Sequence, residues 1–281
     1  MQIRRIISYT IITTVSSLSF VLPQSKERGN PNFRRSTNID INKIRATIFN
    51  FGVTGRTGTN PGEIPYEWPV NSGQKYIAMT ALAVGTEIKL EDGTIKPMVT
   101  IPYRGDQQGN SMAWEPVPGY LNPNSSKIAI SDDGSTWPDT WPDKMEDGND
   151  PGWTGSWNGY FGKNQFNAGQ EIFYKVSDDR NYIVGHPYSP DTTDLSRKGA
   201  GIQVGVRVLE WKQILIEDVV FMLHDIINDG SYNWFVPSNL LKSNCYQVVI
   251  GNTWDQSDPG YLVETEENFI VSSYFTITDQ T

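Results

Sequence analysis

Hydrophobic and polar residues alternate along several parts of this 281-residue chain with the two-residue period of β-strands. The clearest run, 201–208, places its apolar side chains on one face of a strand, namely Ile202, Val204, Val206 and Val208. No stretch of helix length repeats its apolar residues with the period of an amphipathic helix, about 3.6 positions. The pattern therefore predicts an all-β protein.

Turn residues separate these strands and indicate how they connect. Asp92-Gly93 and Asp229-Gly230 can adopt the positive φ angles of tight hairpins, whereas 102–170 is rich in Gly, Pro and Trp and predicts long loops. We expect an antiparallel β-sandwich-like domain with long Gly/Pro/Trp-rich loops. Its predicted strands are 44–51, 76–84, 87–90, 94–99, 171–176, 201–208, 214–227, 246–250 and 269–277.

The first 25 residues have the pattern of a secretory signal peptide. Arg4 and Arg5 precede an uncharged run, 6–22, which ends in a polar stretch. A transmembrane helix is the alternative, but the run is barely long enough to span a bilayer and contains several hydroxyl side chains. We therefore expect a secreted protein, extracellular or at the cell surface, that meets the membrane only during export.

The chain is expected to divide into the signal peptide at 1–25, a polar leader at 26–42 and one β-rich extracellular domain at 43–281. The leader is inferred from its Gly, Pro, Asn and Arg content. The sequence stops at Thr281, directly after an apparent strand. Both a natural end and a chain truncated at its C-terminus are compatible with that pattern.

Composition excludes some classes of partner. The formal net charge is −9, and no cluster of Lys and Arg follows residue 35, which argues against nucleic acids and anionic membranes as partners. The single cysteine, Cys245, cannot form an internal disulfide and is expected to be a buried thiol. The two histidines, His186 and His224, are too far apart in sequence for a zinc-binding helix motif.

One loop, 131–160, concentrates unusual side chains. It holds four of the nine tryptophans, and its acidic residues far outnumber its one lysine. The candidate ligand-binding residues are its aromatic side chains Trp137, Trp141, Trp153, Trp157 and Tyr160. The candidate metal ligands are its carboxylates Asp132, Asp133, Asp139, Asp143, Asp147 and Asp150.

Three interpretations of this Trp-rich loop stay open. In the first, the Trp rings pack as a cap over an open end of the sandwich, and the acids cap turns. In the second, calcium holds the clustered carboxylates together, although 147–152 departs from the EF-hand template because Pro151 stands at a ligand position. In the third, exposed Trp faces stack on sugar rings while carboxylates accept hydrogen bonds from hydroxyl groups.

The same loop carries a resemblance to a known family. The stretches 137–143 (WPDTWPD), 150–153 (DPGW) and 155–167 (GSWNGYFGKNQFN) resemble the N-terminal region of large uncharacterised secreted proteins of Bacteroidota, Ignavibacteria and Calditrichota-type bacteria. Weaker similarity extends the match over 38–232. The resemblance implies an extracellular location and further β modules, often with a C-terminal sorting tail for type IX secretion. The sequence departs from the family in lacking that tail, and the family implies no reaction.

Candidate catalytic residues are less specific. A glycosidase needs two facing carboxylates, and no spacing selects a pair among Glu115, Glu171, Glu210, Glu217 and Asp218. We therefore expect a non-catalytic structural or interaction module of a secreted or cell-surface bacterial protein, whose partners are other surface modules or an extracellular glycan. A carbohydrate-binding module that uses 131–160 is the alternative, followed by a glycoside hydrolase. Calcium is the one candidate cofactor.

Overall fold

The computed structural model describes residues 28–56, 61–90, 92–102, 113–181, 188–231 and 270–279. The expected signal peptide at 1–25, the expected strand at 246–250, Cys245 and His186 lie outside these residues. Within the described ranges, no helix is long and apolar enough to cross a bilayer.

The described chain is all-β, as the sequence predicts, and its sheets are mainly antiparallel. Four short 3₁₀ turns accompany the strands, at Pro31–Phe33, Gly134–Thr136, Pro142–Lys144 and Pro151–Trp153. The strands are β1 (Ser36–Ile39), β2 (Ala46–Phe49), β3 (Val53–Thr54), β4 (Tyr66–Glu67), β5 (Lys75–Ile77), β6 (Thr80–Ala81), β7 (Val84–Lys89), β8 (Ile95–Thr100), β9 (Glu115–Pro116), β10 (Asn158–Gly159), β11 (Gly162–Lys163), β12 (Gln170–Ser177), β13 (Ile202–Glu210), β14 (Val219–Asn228) and β15 (Ile270–Asp279).

Two sheets form the body of the fold. The first has the strand order β1-β2-β3-β6, and the second has the order β15-β14-β13-β12-β9. Neighbours in the second sheet are antiparallel except β14 and β15, which run parallel. The two-stranded pairs β4–β5, β7–β8 and β10–β11 complete the described strands, and β7–β8 is the hairpin predicted around Asp92-Gly93.

The two sheets share one apolar core. Ile39 and Ile48 of the first sheet join a single buried cluster with Ile172, Val204 and Val206 of the second. The four apolar residues from Ile202 to Val208 at every second position of β13 belong to this cluster, which confirms the face predicted from alternation. Packing of two sheets through their apolar faces is the arrangement of a β-sandwich.

The predicted strands differ from the observed ones where turns interrupt an apolar run. The predicted strand 76–84 is divided between the short strands β5 and β6 and the first residue of β7. The predicted strand 214–227 begins later, at Val219, and Ile214 and Leu215 before it are exposed in a turn. Apolar composition alone does not reveal a turn that leaves its hydrophobic residues in water.

Residues that we expected to form a polar leader, 26–42, contribute to the fold from residue 28 onward. β1 pairs with β2 along all four of its residues, from Ser36 opposite Phe49 to Ile39 opposite Ala46. Ile39 is buried in the shared core. The β-rich domain therefore includes β1. This strand is mostly polar, so an alternation of apolar and polar residues does not predict it.

Candidate functional site

The Trp-rich loop covers the outer face of the second sheet. β12 is buried on both sides, because Ile172 and Tyr174 face the shared core while Phe173 faces the loop. The ring of Trp141 lies 5.9 Å from that of Phe173 and 5.5 Å from that of Trp157, centroid to centroid. The rings therefore do pack as a cap. The cap lies on a sheet face, and not on an open end of the sandwich as the first interpretation expects.

Each of the four indole groups in the loop has a hydrogen-bond acceptor within the protein. Trp141 and Trp157 are 0% exposed, and Trp137 and Trp153 are half-buried. A ring without an exposed face cannot stack on a sugar, so the two buried rings are core residues. The Nε1 atoms donate from Trp137 to Ile130 O at 2.7 Å, from Trp141 to Ser156 O at 2.8 Å, from Trp153 to Asp147 Oδ2 at 2.8 Å and from Trp157 to Glu171 Oε2 at 3.2 Å.

Two carboxylates of the loop cap turns. Asp147 accepts hydrogen bonds from Trp153 Nε1 and from the backbone N–H of Asn149, and these bonds hold the pKa of its carboxyl below the usual value. Asp133 accepts from the hydroxyl and the backbone N–H of Ser135, which lower its pKa in the same way. This is the role that the first interpretation assigns to the acids.

The other four candidate metal ligands have separate surroundings. Asp132 accepts from Gln170 Nε2 at 3.0 Å, Asp143 accepts from Asn158 Nδ2 at 3.1 Å, Asp150 pairs with Lys163, and Asp139 is exposed. Across the described residues, no group of three or more His, Cys, Asp and Glu side chains could hold a metal ion. The structure therefore does not bring the six carboxylates together.

Exposed aromatic rings lie beside the loop, in the turn between β10 and β11. Tyr160 is 53% exposed and Phe161 is 71% exposed, with their rings 4.9 Å apart. Phe166 is also exposed and stacks on Trp137 at 6.5 Å. The sequence predicts Tyr160 as a contact residue but not the two phenylalanines, although the glycines that flank Tyr160 and Phe161 indicate a hairpin tip.

The five carboxylates considered for catalysis each have a partner in the protein, and two of them, Glu217 and Asp218, are neighbours in the turn before β14. Four of them bind a basic or indole group: Glu115 binds Arg34, Glu171 binds Arg207, Glu217 binds Lys43, and Asp218 accepts from Trp68 Nε1. The fifth, Glu210, accepts from the backbone N–H of Ile41 through Oε2, and its Oε1 has no partner among the described residues. Burial raises the pKa of Glu210 to about 8.

A buried arginine organises a second group of charges. The Arg197 guanidinium contacts three carboxylates, with N–O distances of 2.7 Å to Asp179, 3.0 Å to Asp191 and 2.9 Å to Asp229. Next to it, the buried carboxyl of Asp178 accepts two backbone N–H groups, and burial raises its pKa to about 7. These side chains hold a loop against the end of β12, which is a structural role.

Two adjoining clefts lie beside β1, at the edge of the first sheet. The larger, which we call the acidic cleft, has a volume of about 630 Å³, and its charged lining is Asp40, Glu63, Asp132, Asp133 and Lys127. The smaller, which we call the basic pocket, has a volume of about 280 Å³ and is lined by Arg34, Arg35 and Arg56 together with Phe49 and Phe51. Ser36 and Glu63 line both. Spacing along the chain does not predict these clefts, because their walls come from distant segments.

No protein-family model, curated protein or solved structure matches this chain. Function is therefore inferred from the contacts of the chain itself. Three features matter for it: the Trp-rich loop, the exposed rings beside that loop, and the two clefts beside β1.

Proposed function

We propose that the chain is a non-catalytic structural or interaction module of a secreted or cell-surface bacterial protein. One observation carries this proposal: all four indole N–H groups of the Trp-rich loop donate to acceptors in the protein, and the two central rings are fully buried. Side chains that satisfy one another in this way stabilise a fold. These four N–H groups and the two buried rings are therefore not available to bind or transform a substrate.

The contacts of the acidic residues support the same proposal. A glycosidase needs one carboxylic acid and one carboxylate on opposite sides of the scissile bond. Glu115 and Glu171 are instead ion-paired with arginines, and Glu210 lies buried at the end of β13. The extracellular location rests on the pattern of residues 1–25 and on the resemblance of 137–167 to secreted bacterial proteins.

Incubation with a panel of soluble polysaccharides tests the absence of catalysis. New reducing ends are measured for the wild type and for Glu210→Gln, because a carboxyl with a raised pKa is the best candidate for a general acid. We expect the same background rate for both proteins. Reducing ends released by the wild type and not by the variant would overturn the proposal.

A reporter fusion tests the location. Residues 1–25 are joined to an enzyme that is active only after export from bacteria, and a matched fusion carries Arg4→Glu and Arg5→Glu. We expect reporter activity from the first fusion and its loss from the second, because export signals require a basic start. Equal activity from the two fusions, or none from either, would contradict the proposed signal.

A second candidate function is carbohydrate binding at the same face of the protein. It is favoured by the exposed pair Tyr160 and Phe161, with Phe166 nearby on Trp137. Exposed aromatic rings on a rigid turn can stack on sugar rings, and exposed apolar groups that cluster on a soluble domain often mark a binding surface. In this form the candidate depends on the hairpin tip and not on the buried tryptophans.

A glycan array distinguishes this candidate from the first. The double variant Tyr160→Ala, Phe161→Ala removes the exposed pair, and Ile214→Ala, Leu215→Ala serves as a control with apolar side chains that are even more exposed. Carbohydrate binding predicts retention by the wild type and the control and loss in the first double variant, with an unchanged melting temperature. No retention of the wild type on any glycan would contradict the candidate.

A further inference from the structure

The outer edge of β1 presents backbone groups that have no partner among the described residues. Among the described strands β1 pairs with β2 alone. The N–H of Asn50 donates to the carbonyl of Arg35 at 3.1 Å, and in antiparallel strands such bonded pairs recur at every second residue. Thr37 therefore bonds to β2, whereas the N–H and C=O groups of Ser36 and Asn38 point away from it. No described residue forms a hydrogen bond with these outward groups.

The acidic cleft next to this edge holds another unsatisfied acceptor. Gln170 lines the cleft, is 6% exposed and donates through Nε2 to Asp132. Its Oε1 has no hydrogen-bond partner among the described residues. A buried amide oxygen is normally bonded, so an orphan in a cleft wall indicates a place for a donor from outside. Lys127 pairs with Asp133, and Asp40 and Asp132 add two further carboxylates to the lining of the cleft.

The basic pocket at the start of the strand has the opposite charge. Arg35 donates to four backbone carbonyl groups, and no carboxylate pairs with it in the described part of the chain. Arg34 is already matched by a bidentate contact with Glu115. Arg56 adds a further guanidinium, and Glu63 is the one carboxylate among the described residues of the lining. The pocket therefore keeps a net positive charge.

The two clefts follow one another along the direction of β1. Residues 34–36 line the basic pocket, and Ser36, Thr37, Asn38 and Asp40 line the acidic cleft. An extended chain that lies beside β1 advances by about 3.3 Å per residue, so side chains a few positions apart reach both clefts. The outward backbone groups between them are those that an added strand would bind.

From this juxtaposition we propose that the edge of β1 binds an extended segment of a partner protein as an added strand, with an acidic side chain in the basic pocket and a basic side chain in the acidic cleft. Backbone hydrogen bonds to Ser36 and Asn38 supply affinity, and the two charged clefts fix direction and register. The partner segment alternates small polar with apolar residues, which is the pattern of a strand, and Ser36, Asn38 and Gln170 of the acidic cleft supply polar contacts for it. This inference rests on the proposed role as an interaction module and names the kind of partner.

Calorimetric titration of the full chain with synthetic hexapeptides tests the proposal. The probe alternates threonine and valine, with one glutamate near one end and one lysine near the other, and both orders of the two charges are made. One control peptide replaces both charged residues by glutamine. A second control keeps the charges but carries N-methyl groups on the backbone nitrogens that would face β1, which removes the donors of an added strand.

We expect one charge order to bind, and the reversed and neutral peptides to bind about tenfold more weakly, because direction is fixed by the clefts. The affinity of the N-methylated peptide should be lower than that of the unmodified peptide by at least the same factor. Equal affinity of the N-methylated and unmodified peptides would refute strand addition. Equal affinity of all peptides, or no binding by any, would overturn the proposal.

Variants of the protein locate the site. Asp132→Asn and Arg56→Gln should each weaken binding of the preferred peptide about tenfold. Asp139→Asn and Lys212→Gln, at exposed residues that line neither cleft, should not. Ser36→Pro removes an outward N–H without removing a bond of the ladder, since proline is tolerated at a sheet edge, and should weaken binding at an unchanged melting temperature. Equal effects of Asp139→Asn and Asp132→Asn would contradict the location.

The outcomes separate this inference from the proposed function. Absence of peptide binding in a protein that also releases no reducing ends refutes the added strand and leaves the non-catalytic role standing. Cleavage of a polysaccharide refutes that role regardless of the peptide result.

Discussion

The Nε1 atom of Trp157 lies 3.2 Å from one carboxylate oxygen of Glu171, and the other oxygen lies 2.5 Å from Nη1 of Arg207. The guanidinium of Arg207 in turn lies 3.8 Å from the ring centroid of Phe173. Trp157 belongs to the Trp-rich loop, whereas the other three residues belong to β12 and β13. This carboxylate therefore joins the loop to the sheet beneath it.

Glu171→Gln should destabilise the protein by about 3 kcal/mol. The amide keeps an acceptor for Trp157 but removes the charge opposite Arg207, and loss of one partner from a buried ion pair costs about 3–5 kcal/mol. Urea unfolding measures the change in the free energy of unfolding. Glu217→Gln is the control, because its pair with Lys43 is more exposed, and it should change little. Equal destabilisation by both variants would contradict the structural role of Glu171.

Arg197→Gln should be among the most destabilising single changes in the described chain. It leaves three carboxylates, Asp179, Asp191 and Asp229, without their shared cation, and the expected loss is about 3–5 kcal/mol in the free energy of unfolding. Arg28→Gln, which removes a surface pair, should have little effect in the same measurement. A loss below about 1 kcal/mol for Arg197→Gln would show that water reaches the cluster.

Glu210 should make the protein less stable as the pH rises. Burial raises its pKa to about 8 from the ordinary value of 4.5, so between these values the folded protein holds a proton that the unfolded chain has released. The free energy of unfolding therefore falls across this window. Glu210→Gln should remove that contribution. At pH 8 the free energy of unfolding of the variant should exceed that of the wild type by about 2 kcal/mol or more, and near pH 4 the two should differ little.

Chemical denaturation at several pH values checks this difference. Asp178, whose pKa is about 7, contributes a slope of the same sign, so the variant should keep part of the pH dependence. Asp139→Asn is a control at an exposed position and should follow the wild type at every pH. Parallel curves for the wild type and Glu210→Gln would contradict the prediction.

Calcium should leave the melting temperature unchanged. A ligand that binds only the native state must raise stability, and Asp133, Asp147 and Asp150 of the Trp-rich loop each have a hydrogen-bond or ion-pair partner in the protein. Thermal unfolding with added calcium and with a chelator makes the comparison. A higher melting temperature with calcium would favour the second interpretation of the loop over the first.

The sequence predicts sheet strands well where apolar residues alternate along a whole strand. β13 is predicted to within two residues at each end, because its apolar residues at every second position leave a clear period. β1 has no such period, since Ser36, Thr37 and Asn38 are polar and Ile39 is its one apolar residue. Its place in the fold depends on pairing with β2, and the pattern of one segment alone does not show which segment it pairs with.

The candidate site is less predictable, because burial depends on distant residues. Trp141 and Tyr160 lie in one aromatic segment, yet the first is buried against Phe173 and the second is exposed. The partner of Arg34 is Glu115, 81 positions away. Sequence composition predicts which loop is rich in aromatic and acidic side chains. Which of these side chains remain exposed to bind a ligand depends on how the sheets pack.

Burial of β12 on both faces makes the Trp-rich loop a third layer of the protein. Replacement of 131–160 by a short turn would uncover Phe173 and the charge of Arg207, so we expect such a shortened chain not to fold. The loop should therefore tolerate little change in length, as a core strand does, and an engineered insertion should be accepted more readily in the exposed turn before β14. The composition of 131–160 is that of a surface loop, but its length and its residues are constrained in the way that those of a protein interior are.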